Sequence, residues 1–363
     1  MKIVGIGDLL IPEECIKKGF SEIEALGIEV KTIQWKCENF EELQNINLMV
    51  ETRGSEGYEP PQYILDAVKD ANIIITQFCT ITRKLIDNCS ELKVIGVLRA
   101  GVENVNVNHA NEKGILVFNT PGRNSNAVAD FTVGLLLTEC RNIARSHSEL
   151  KNGNWVRDFS NKASVPDLSA KTAGIVGLGE IGKKVAKRLL SFDMELIAYD
   201  PYVKVPMDGV RMVSLQELMK VSDFVTIHSR LTKETEKLIS KELIYSMKPT
   251  SYFINTSRSG LVDEDALYQA LREKRISGAA LDVFNKEPIG KDYPVVSIEN
   301  VTITPHLAGG TVDAFLNSPK ILAKDMIKLW KKEVPSFIVN KAALGDKPVM
   351  LVTEEIVRDK RCN

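Results

Sequence analysis

The stretch from Thr172 to Asp200 constrains the fold more than any other part of the chain. It contains an apolar run, the glycine turn GLGEIG, a helical pattern and a second apolar run that ends at Asp200. Gly177 permits a tight turn, Gly179 lets the backbone approach a pyrophosphate, and Gly182 lets the helix pack closely on the strand. Asp200 lies 18 positions after Gly182, close to the spacing expected of a carboxylate that binds ribose hydroxyls. This order of elements predicts a dinucleotide-binding unit.

The same turn predicts which dinucleotide binds. Glu180 and Ile181 begin the helix, whose N-terminus faces the phosphates, so both are predicted cofactor contacts together with the three glycines. The Asp200 carboxylate can accept a hydrogen bond from a free 2′-hydroxyl, but it repels a 2′-phosphate. No arginine follows within residues 201–203 to offset that repulsion. We therefore expect NAD, and not NADP, as the cofactor.

The composition sets limits on the class of protein. The 363 residues suggest two domains. The net charge of −1 gives no electrostatic reason to expect a nucleic-acid or membrane partner. No apolar run approaches the ~20 residues of a membrane span. The six cysteines show no metal-binding spacing, so we expect no metal site, reduced thiols and a cytoplasmic location.

Apolar runs of strand length alternate with helical patterns along the whole chain, which is typical of parallel sheets covered by helices. Before the glycine turn, the pattern predicts strands at residues 2–6, 72–76, 93–97 and 115–118, and helices at 12–26, 61–70 and 127–148. After it, the pattern predicts strands at 196–199, 224–228, 252–255, 279–283 and 301–304, and helices at 215–219, 241–246, 263–273 and 312–331.

Three loops that follow predicted strands carry groups suited to chemistry on a 2-oxo acid. They contain Arg258, Glu287 and His306, and loops at the carboxyl ends of parallel strands meet at one sheet edge. A guanidinium can hold a carboxylate bidentately and polarise a ketone. An imidazolium can protonate the developing alkoxide. A neighbouring carboxylate stabilises that imidazolium and fixes its orientation.

Each of these residues also has a structural explanation. An arginine after a strand is usually a surface or capping residue, Glu287 can be part of a plain loop, and His306 can cap the next helix. Of the remaining histidines, His109 falls in a polar stretch that reads as loop, and His147 falls on a charged helical face. His228 ends a predicted strand, where cofactor-side packing and a polar contact are equally compatible with the sequence.

Taken together, these segments resemble the D-isomer-specific 2-hydroxyacid dehydrogenases, a family that includes phosphoglycerate dehydrogenase, hydroxypyruvate reductase and D-lactate dehydrogenase. The resemblance runs from about residue 92 to about residue 340. Its motifs are GLGEIG with a later YDP, DFVTIHSRLTKET, INTSRSGLVDEDAL, GAALDVFNKEP and TPHLAGGT. It implies that Arg258, Glu287 and His306 form the catalytic set of an enzyme that oxidises or reduces a small acid such as 3-phosphoglycerate, glycerate, hydroxypyruvate or a related sugar acid.

The resemblance also implies further ligand contacts. Asp282 would contact the nicotinamide carboxamide, and Thr256 and His228 would line the cofactor site. The backbone of Arg99, Ala100 and Gly101 would grip the substrate carboxylate.

The implied fold is α/β, with two doubly wound parallel-sheet domains and an active cleft between them. A Rossmann NAD-binding domain at 123–312 is inserted into a flavodoxin-like substrate domain at 1–122 and 313–363, and the cofactor domain forms a homodimer. An NAD(H)-sensing protein similar to the corepressors of this fold remains the alternative function.

Three features depart from the family pattern. Arg230 replaces the proline of HxPLTxET, and Asp130 replaces a glutamate in the long helix. The tail at 344–363 extends beyond the family core and carries an apolar patch. The first 90 residues match only loosely, so the identity of the acid stays open.

Overall fold

The computed structural model describes residues 1–341 and divides the chain into two compact units. The first unit contains Met1–Arg123 and the described chain from Val312 to residue 341, and the second contains Asn124–Thr311. The tail at 344–363, which the sequence singled out, lies outside the described residues.

The first unit is built on a sheet of five parallel strands in the order β2-β1-β3-β4-β5. This is the order of flavodoxin-like sheets, in which the direction of winding reverses between β1 and β3. The strands are β1 (Lys2–Gly7), β2 (Glu29–Gln34), β3 (Ile73–Thr76), β4 (Val94–Val97) and β5 (Leu116–Phe118). The helices are α1 (Glu13–Gly19), α2 (Ser21–Glu24), α3 (Phe40–Arg53), α4 (Gln62–Val68), α5 (Arg83–Asn88) and α6 (Val107–Glu112).

The second unit is built on seven parallel strands in the order β12-β11-β10-β9-β6-β7-β8. Its strands are β6 (Thr172–Val176), β7 (Glu195–Tyr199), β8 (Val210–Met212), β9 (Phe224–Ile227), β10 (Tyr252–Asn255), β11 (Gly278–Leu281) and β12 (Val301–Ile303). Its helices are α7 (Ser125–Cys140), α8 (Ile143–Lys151), α9 (Glu180–Leu190), α10 (Leu215–Val221), α11 (Lys241–Tyr245) and α12 (Glu264–Arg272). Winding reverses between β6 and β9, so the loops that follow these strands diverge and leave room for a ligand.

The chain then returns to the first unit through α13 (Val312–Leu316), α14 (Ser318–Met326) and α15 (Lys328–Lys331). Leu322 and Met326 of α14 share an apolar core with Ile3 and Ile75 of the first sheet. The return of the C-terminal helices to the first domain, which the resemblance implies, is thus present in the structure.

The predicted α/β class with two parallel sheets is confirmed, and the predicted strands lie within a residue or two of observed ones. Three predicted helices are interrupted. The helix expected over 12–26 is divided into α1 and α2 at Phe20, whose φ of −98° and ψ of 9° are not helical. The helix expected over 127–148 breaks at Asn142, whose φ of 56° is left-handed and incompatible with a continuous helix. The helix expected over 312–331 consists of three segments, and Pro319 opens the middle one, where its missing N–H is tolerated.

Within residues 1–341, none of the helices combines the length and the apolar character that a membrane span needs. No group of three histidine, cysteine or acidic side chains in that range is placed to hold a metal ion. The five cysteines in this range are free thiols.

His109 does not lie in a loop as its sequence context suggests, but in α6, with 4% of its side chain exposed. Its Nδ1 is 2.8 Å from Glu112 Oε2 and its Nε2 is 2.9 Å from Asp87 Oδ1. Both contacts are satisfied only when both ring nitrogens carry a proton. The hydrogen bond from His109 is the main reason why the pKa values of Asp87 and Glu112 lie below their usual values.

We predict that His109→Leu destabilises the protein at pH 7 and that the loss shrinks in acid. A carboxylate with a lowered pKa contributes stability above its ordinary value, here 3.8 and 4.5, and loses it as the pH falls through the lowered one. Urea unfolding of both proteins at pH 7 and at one pH well below 3.8 measures the difference. An equal loss of stability at the two pH values would contradict this account.

Candidate active site

The glycine turn after β6 is shaped by backbone contacts that leave no room for side chains. Gly177 has a φ of +94°, and a Cβ there would lie 2.8 Å from the carbonyl carbon of His228. A Cβ on Gly182 would lie 2.1 Å from the Gly177 carbonyl oxygen. Gly179 differs, because a Cβ there would meet nothing within 4 Å. Its small size therefore leaves open space beside the turn, as the approach of a phosphate requires.

The residues around this turn fit a dinucleotide. Gly179 is the N-cap of α9, and no side chain of residues 1–341 caps that helix end, so its first N–H groups face the open space next to Glu180 and Ile181. Asp200 follows β7, and its two oxygens accept hydrogen bonds from the backbone N–H groups of Leu178 (2.9 Å) and Tyr202 (2.9 Å). Each carboxylate oxygen has a second lone pair, so Asp200 can order the turn and still accept a hydroxyl.

His228 lies directly after β9 and is a neutral imidazole. Burial lowers its pKa to about 3, which excludes an acid–base role near neutral pH. Its Nε2 is 3.0 Å from Thr226 Oγ1, while its buried Nδ1 has no hydrogen-bond partner within residues 1–341. The Thr256 hydroxyl, by contrast, lies 2.8 Å from Thr132 Oγ1 of α7. Of the two predicted cofactor contacts, His228 and Thr256, His228 is therefore the one whose side chain has a polar atom, Nδ1, without a hydrogen bond within residues 1–341.

Arg258 lies three residues after β10, in a turn held by its neighbours. Asn255 Nδ2 donates to the Arg258 carbonyl at 3.0 Å, and Ser257 Oγ donates to the Ile227 carbonyl at 2.7 Å. The guanidinium is exposed and is fixed by one bond, from Nη1 to the Ser257 carbonyl at 2.7 Å. Its other donors contact no side chain in the described part of the protein, so they are available to a carboxylate or ketone oxygen.

Glu287 and His306 meet beyond the ends of β11 and β12. His306 Nδ1 is 2.8 Å from Glu287 Oε2. The other carboxylate oxygen of Glu287 accepts the Phe284 N–H at 2.9 Å, which fixes the carboxylate in its loop. The backbone of His306 is left-handed, with φ of 55°. The pairing expected from the sequence is therefore present.

Asp282 binds the loop that carries His306. It is fully buried directly after β11 and accepts hydrogen bonds from Thr304 Oγ1 (2.6 Å) and from the N–H groups of Leu307 (2.8 Å) and Ala308 (2.9 Å). These three donors flank His306 in the loop after β12. The resemblance implies a cofactor contact for Asp282, and the structure adds a role in positioning the histidine loop.

In the first unit, the side chain of Arg99 is already engaged. Its guanidinium donates to Asn47 Oδ1 and Glu103 Oε2, both at 2.8 Å, pairs with Glu51 at 3.4 Å, and is 13% exposed. The N–H groups of Ala100 and Gly101 have no partner among the described residues. A substrate carboxylate would therefore meet backbone donors here and not the arginine side chain.

Sequence reasoning missed the supporting residues Asn255, Ser257 and Thr304, whose hydrogen bonds hold the Arg258 and His306 loops. The sequence does contain a signal for them, because each is a small polar residue within two positions of a strand end. Which backbone group each one binds depends on which strands are neighbours in the sheet.

Comparison with known proteins identifies the relatives of this chain. The model of the NAD-binding domain of D-isomer-specific 2-hydroxyacid dehydrogenases matches residues 133–308. A D-3-phosphoglycerate dehydrogenase of Methanocaldococcus jannaschii is 40% identical over 302 residues, which make up 80% of this chain and 57% of that protein. A glyoxylate reductase of Thermofilum pendens is 37% identical over 301 residues, 80% of this chain and 88% of that protein. This chain thus spans only part of the first relative and most of the second.

A solved structure supports the same relationship. An NAD-dependent formate dehydrogenase from Staphylococcus aureus in complex with NAD superposes with a TM-score of 0.66 at 28% identity, over 93% of this chain and 98% of that one.

We predict that Gly179→Ala and Gly182→Ala separate cofactor binding from folding. The alanine at 179 fits the protein but fills the space next to the helix N-terminus, so NADH affinity should fall at least about tenfold at an unchanged melting temperature. The alanine at 182 clashes with a backbone oxygen and should lower the melting temperature as well. NADH fluorescence titration and thermal unfolding measure the two effects. Unchanged NADH binding by Gly179→Ala would show that no phosphate approaches this turn.

Proposed function

This chain belongs to the family of D-isomer-specific 2-hydroxyacid dehydrogenases, and we propose that it transfers a hydride between NAD and C2 of a small D-2-hydroxy or 2-oxo acid. The hydrogen-bonded pair of Glu287 and His306 carries this proposal. The pair lies at the carboxyl edge of the sheet that also carries the glycine turn and Arg258. The nicotinamide supplies or accepts the hydride, and the protein supplies charge stabilisation and a proton.

The contacts of His306 support different roles for its two ring nitrogens. Because Nδ1 faces Glu287, Nε2 is the atom left to protonate the ketone oxygen during reduction. In oxidation the same nitrogen removes the hydroxyl proton. Glu287 stabilises the imidazolium that forms, and the Phe284 N–H keeps the carboxylate in position.

Arg258 binds and polarises the acid. A guanidinium can place two parallel N–H donors on a carboxylate, and its charge favours the partial negative charge that develops on the ketone oxygen. The single bond between Nη1 and the Ser257 carbonyl orients the side chain while it leaves the remaining donors exposed.

The substrate falls within a defined chemical class. The matching relatives include enzymes named for 3-phosphoglycerate and for glyoxylate, which share a carboxylate next to the reacting carbon. For this chain the candidates are 3-phosphoglycerate, glycerate or hydroxypyruvate, and related sugar acids.

The test is the oxidation of NADH and of NADPH by the purified protein with a panel of 2-oxo acids. The panel contains glyoxylate, hydroxypyruvate, phosphohydroxypyruvate, pyruvate and sugar-derived 2-oxo acids. We expect turnover with NADH and much weaker turnover with NADPH, because the Asp200 carboxylate repels a 2′-phosphate. Tight NADH binding without turnover of any acid would contradict the dehydrogenase proposal and favour an NAD(H)-sensing role.

We predict that His306→Gln lowers kcat about 10²- to 10⁴-fold, because the variant cannot exchange a proton with the substrate oxygen. The affinity for NADH should stay within about twofold, since the substitution leaves the glycine turn intact. Lys220→Gln is the control, because Lys220 is exposed on α10. Loss of NADH binding together with activity would point to a structural role for His306 instead.

We also propose that the second unit forms a homodimer. Helix α8 buries none of its residues, and the segment from 143 to 165 exposes five large apolar side chains. They are Ile143, Leu150, Trp155, Val156 and Val165, and Trp155 is 80% exposed. Exposed apolar surface of this kind is typical of an interaction site.

We predict the mass of a dimer in light scattering, and a shift toward monomer when Leu150 and Trp155 are both replaced by serine. Tyr202→Ser is the control, because Tyr202 is equally exposed but lies outside the segment. A monomeric wild-type protein would exclude the proposed homodimer.

A further inference from the structure

A single carboxylate binds the loop that carries Glu287 at two points. Glu264 is half-buried at the first position of α12. Its Oε1 accepts the N–H of Asn285 at 3.2 Å, and its Oε2 accepts the hydroxyl of Tyr293 at 2.7 Å. Glu287 lies between these two positions in the chain, so both bonds fix the segment that holds it.

The outer part of this loop has few other hydrogen bonds. Within residues 1–341, no backbone N–H of residues 285–292 donates to a backbone carbonyl. Most side chains of residues 285–292 are exposed. The bond from the Phe284 N–H fixes the Glu287 carboxylate only relative to a residue three positions away. A loop of this kind opens easily unless side chains from packed elements hold it, and Glu264 supplies that contact from α12.

Aromatic packing brings Tyr293 to the carboxylate. The Tyr293 ring packs edge-on against Phe284 of the loop and Tyr268 of α12, with ring centroids 6.0 Å and 6.5 Å apart. Burial and the hydrogen bond to Glu264 raise the pKa of Tyr293 to about 12. The phenol therefore keeps its proton throughout the neutral range and donates it to the carboxylate, which makes the bond a charge-assisted one.

Helix α12 also begins just beyond the turn that carries Arg258. Glu264 lies six positions after Arg258 and directly follows Asp263, the N-cap of the helix. The Glu264 carboxylate therefore ties the loop after β11 to the segment that leads from Arg258. Through Glu287, the same connection extends to His306.

An acidic residue at this position also has a plain structural role. Carboxylates in the first turn of a helix stabilise the helix, because they face its unsatisfied N–H groups and the positive end of its dipole. Helix α12 has two of them, Glu264 and Asp265. The Asp265 side chain is exposed and binds no other residue in the described part of the chain. These two acids therefore separate an effect on the helix from an effect on the loop.

We propose that Glu264 and Tyr293 are positioning residues for the pair of Glu287 and His306. By fixing the loop on both sides of Glu287, they hold its carboxylate at the distance from which it binds His306 Nδ1. The inference rests on the proposed dehydrogenase function. Each residue acts through Glu287 and not on the substrate. A displacement of about 1 Å in such a site can cost about 10²-fold in rate.

The experiment measures NADH-dependent reduction of the acid that the wild type turns over best. We expect Glu264→Ala to lower kcat about 10- to 100-fold, with KM for the acid within about threefold and the affinity for NADH within about twofold. Tyr293→Phe should lower kcat at least about fivefold, because one of the two bonds remains. Glu264→Gln should recover most of the wild-type kcat, because an amide can accept from the Asn285 N–H and donate to the Tyr293 oxygen.

Two matched controls test the structural explanation. Asp265→Ala removes the other acid of the first turn of α12. Tyr245→Phe removes a hydroxyl on α11 that binds the Glu273 carboxylate at 3.1 Å, which is the same kind of bond in another place. Both should leave kcat within about twofold of the wild type. If Asp265→Ala lowers kcat as much as Glu264→Ala does, the effect belongs to the helix and the proposal is wrong.

A double-mutant cycle tests the route through Glu287. In a protein that already carries Glu287→Ala, the further change Glu264→Ala should lower kcat by less than about twofold, because no carboxylate is left to position. If the two losses multiply, Glu264 acts independently of Glu287 and the proposal is overturned.

Failure of the inference differs from failure of the proposed function. If the wild type turns over an acid and Glu264→Ala keeps the wild-type kcat, the inference is wrong and the dehydrogenase function stands. If the wild type turns over no acid, the dehydrogenase function is wrong, and amide hydrogen exchange of the peptide 284–293 decides the rest. Faster exchange in Glu264→Ala but not in Asp265→Ala supports the positioning of the loop, and equal exchange in all three proteins overturns it.

Discussion

The buried carboxylate of Asp282 holds the geometry of the candidate active site together. It lies at the end of β11, and its three hydrogen bonds all go to the loop that follows the neighbouring strand β12. A carboxylate is tolerated in a dry interior only when its oxygens are well bonded, so the loop and the carboxylate stabilise each other. The same bonds keep His306 in its left-handed conformation, from which Nδ1 reaches Glu287.

Similar links between neighbouring loops recur along this sheet. Asp200 after β7 binds the glycine turn after β6, and Ser257 after β10 binds the last carbonyl of β9. Because all seven strands are parallel, their carboxyl ends lie along one edge, and a short polar side chain reaches only the adjacent loop. The candidate catalytic groups are thus placed by backbone hydrogen bonds from residues that need not contact a substrate themselves.

The polar side chains at the strand ends of the two sheets differ in their hydrogen bonding. In the second unit, Asp200 and Asp282 have their oxygens bonded to backbone N–H groups. In the first unit, neither the amide of Gln77 nor one oxygen of Asp8 has a hydrogen-bond partner among residues 1–341. Burial raises the pKa of Asp8 to about 6, because the charged carboxylate is poorly solvated there.

Local sequence determined the α/β class, the glycine turn and the three catalytic candidates. The periodicity of apolar residues, the spacing of the glycines and the position of polar residues after predicted strands are all properties of short stretches of sequence. It failed where the signal is polar or non-local. Helix α3 was missed despite its Asn39 cap, because its mostly polar residues give little apolar periodicity. Strand β2 was missed because a six-residue edge strand with alternating polarity is a weak pattern.

What only the tertiary structure decided is which groups become neighbours. The order of strands brings Glu287 to His306 across 19 positions and gives Asp282 its partners 22 to 26 positions away. It also buries the Gln77 side chain, whose amide has no hydrogen-bond partner in the part of the chain that the structure describes. Hydrogen bonding and burial depend on distances in space, and a single sequence carries residue types and their order but not those distances.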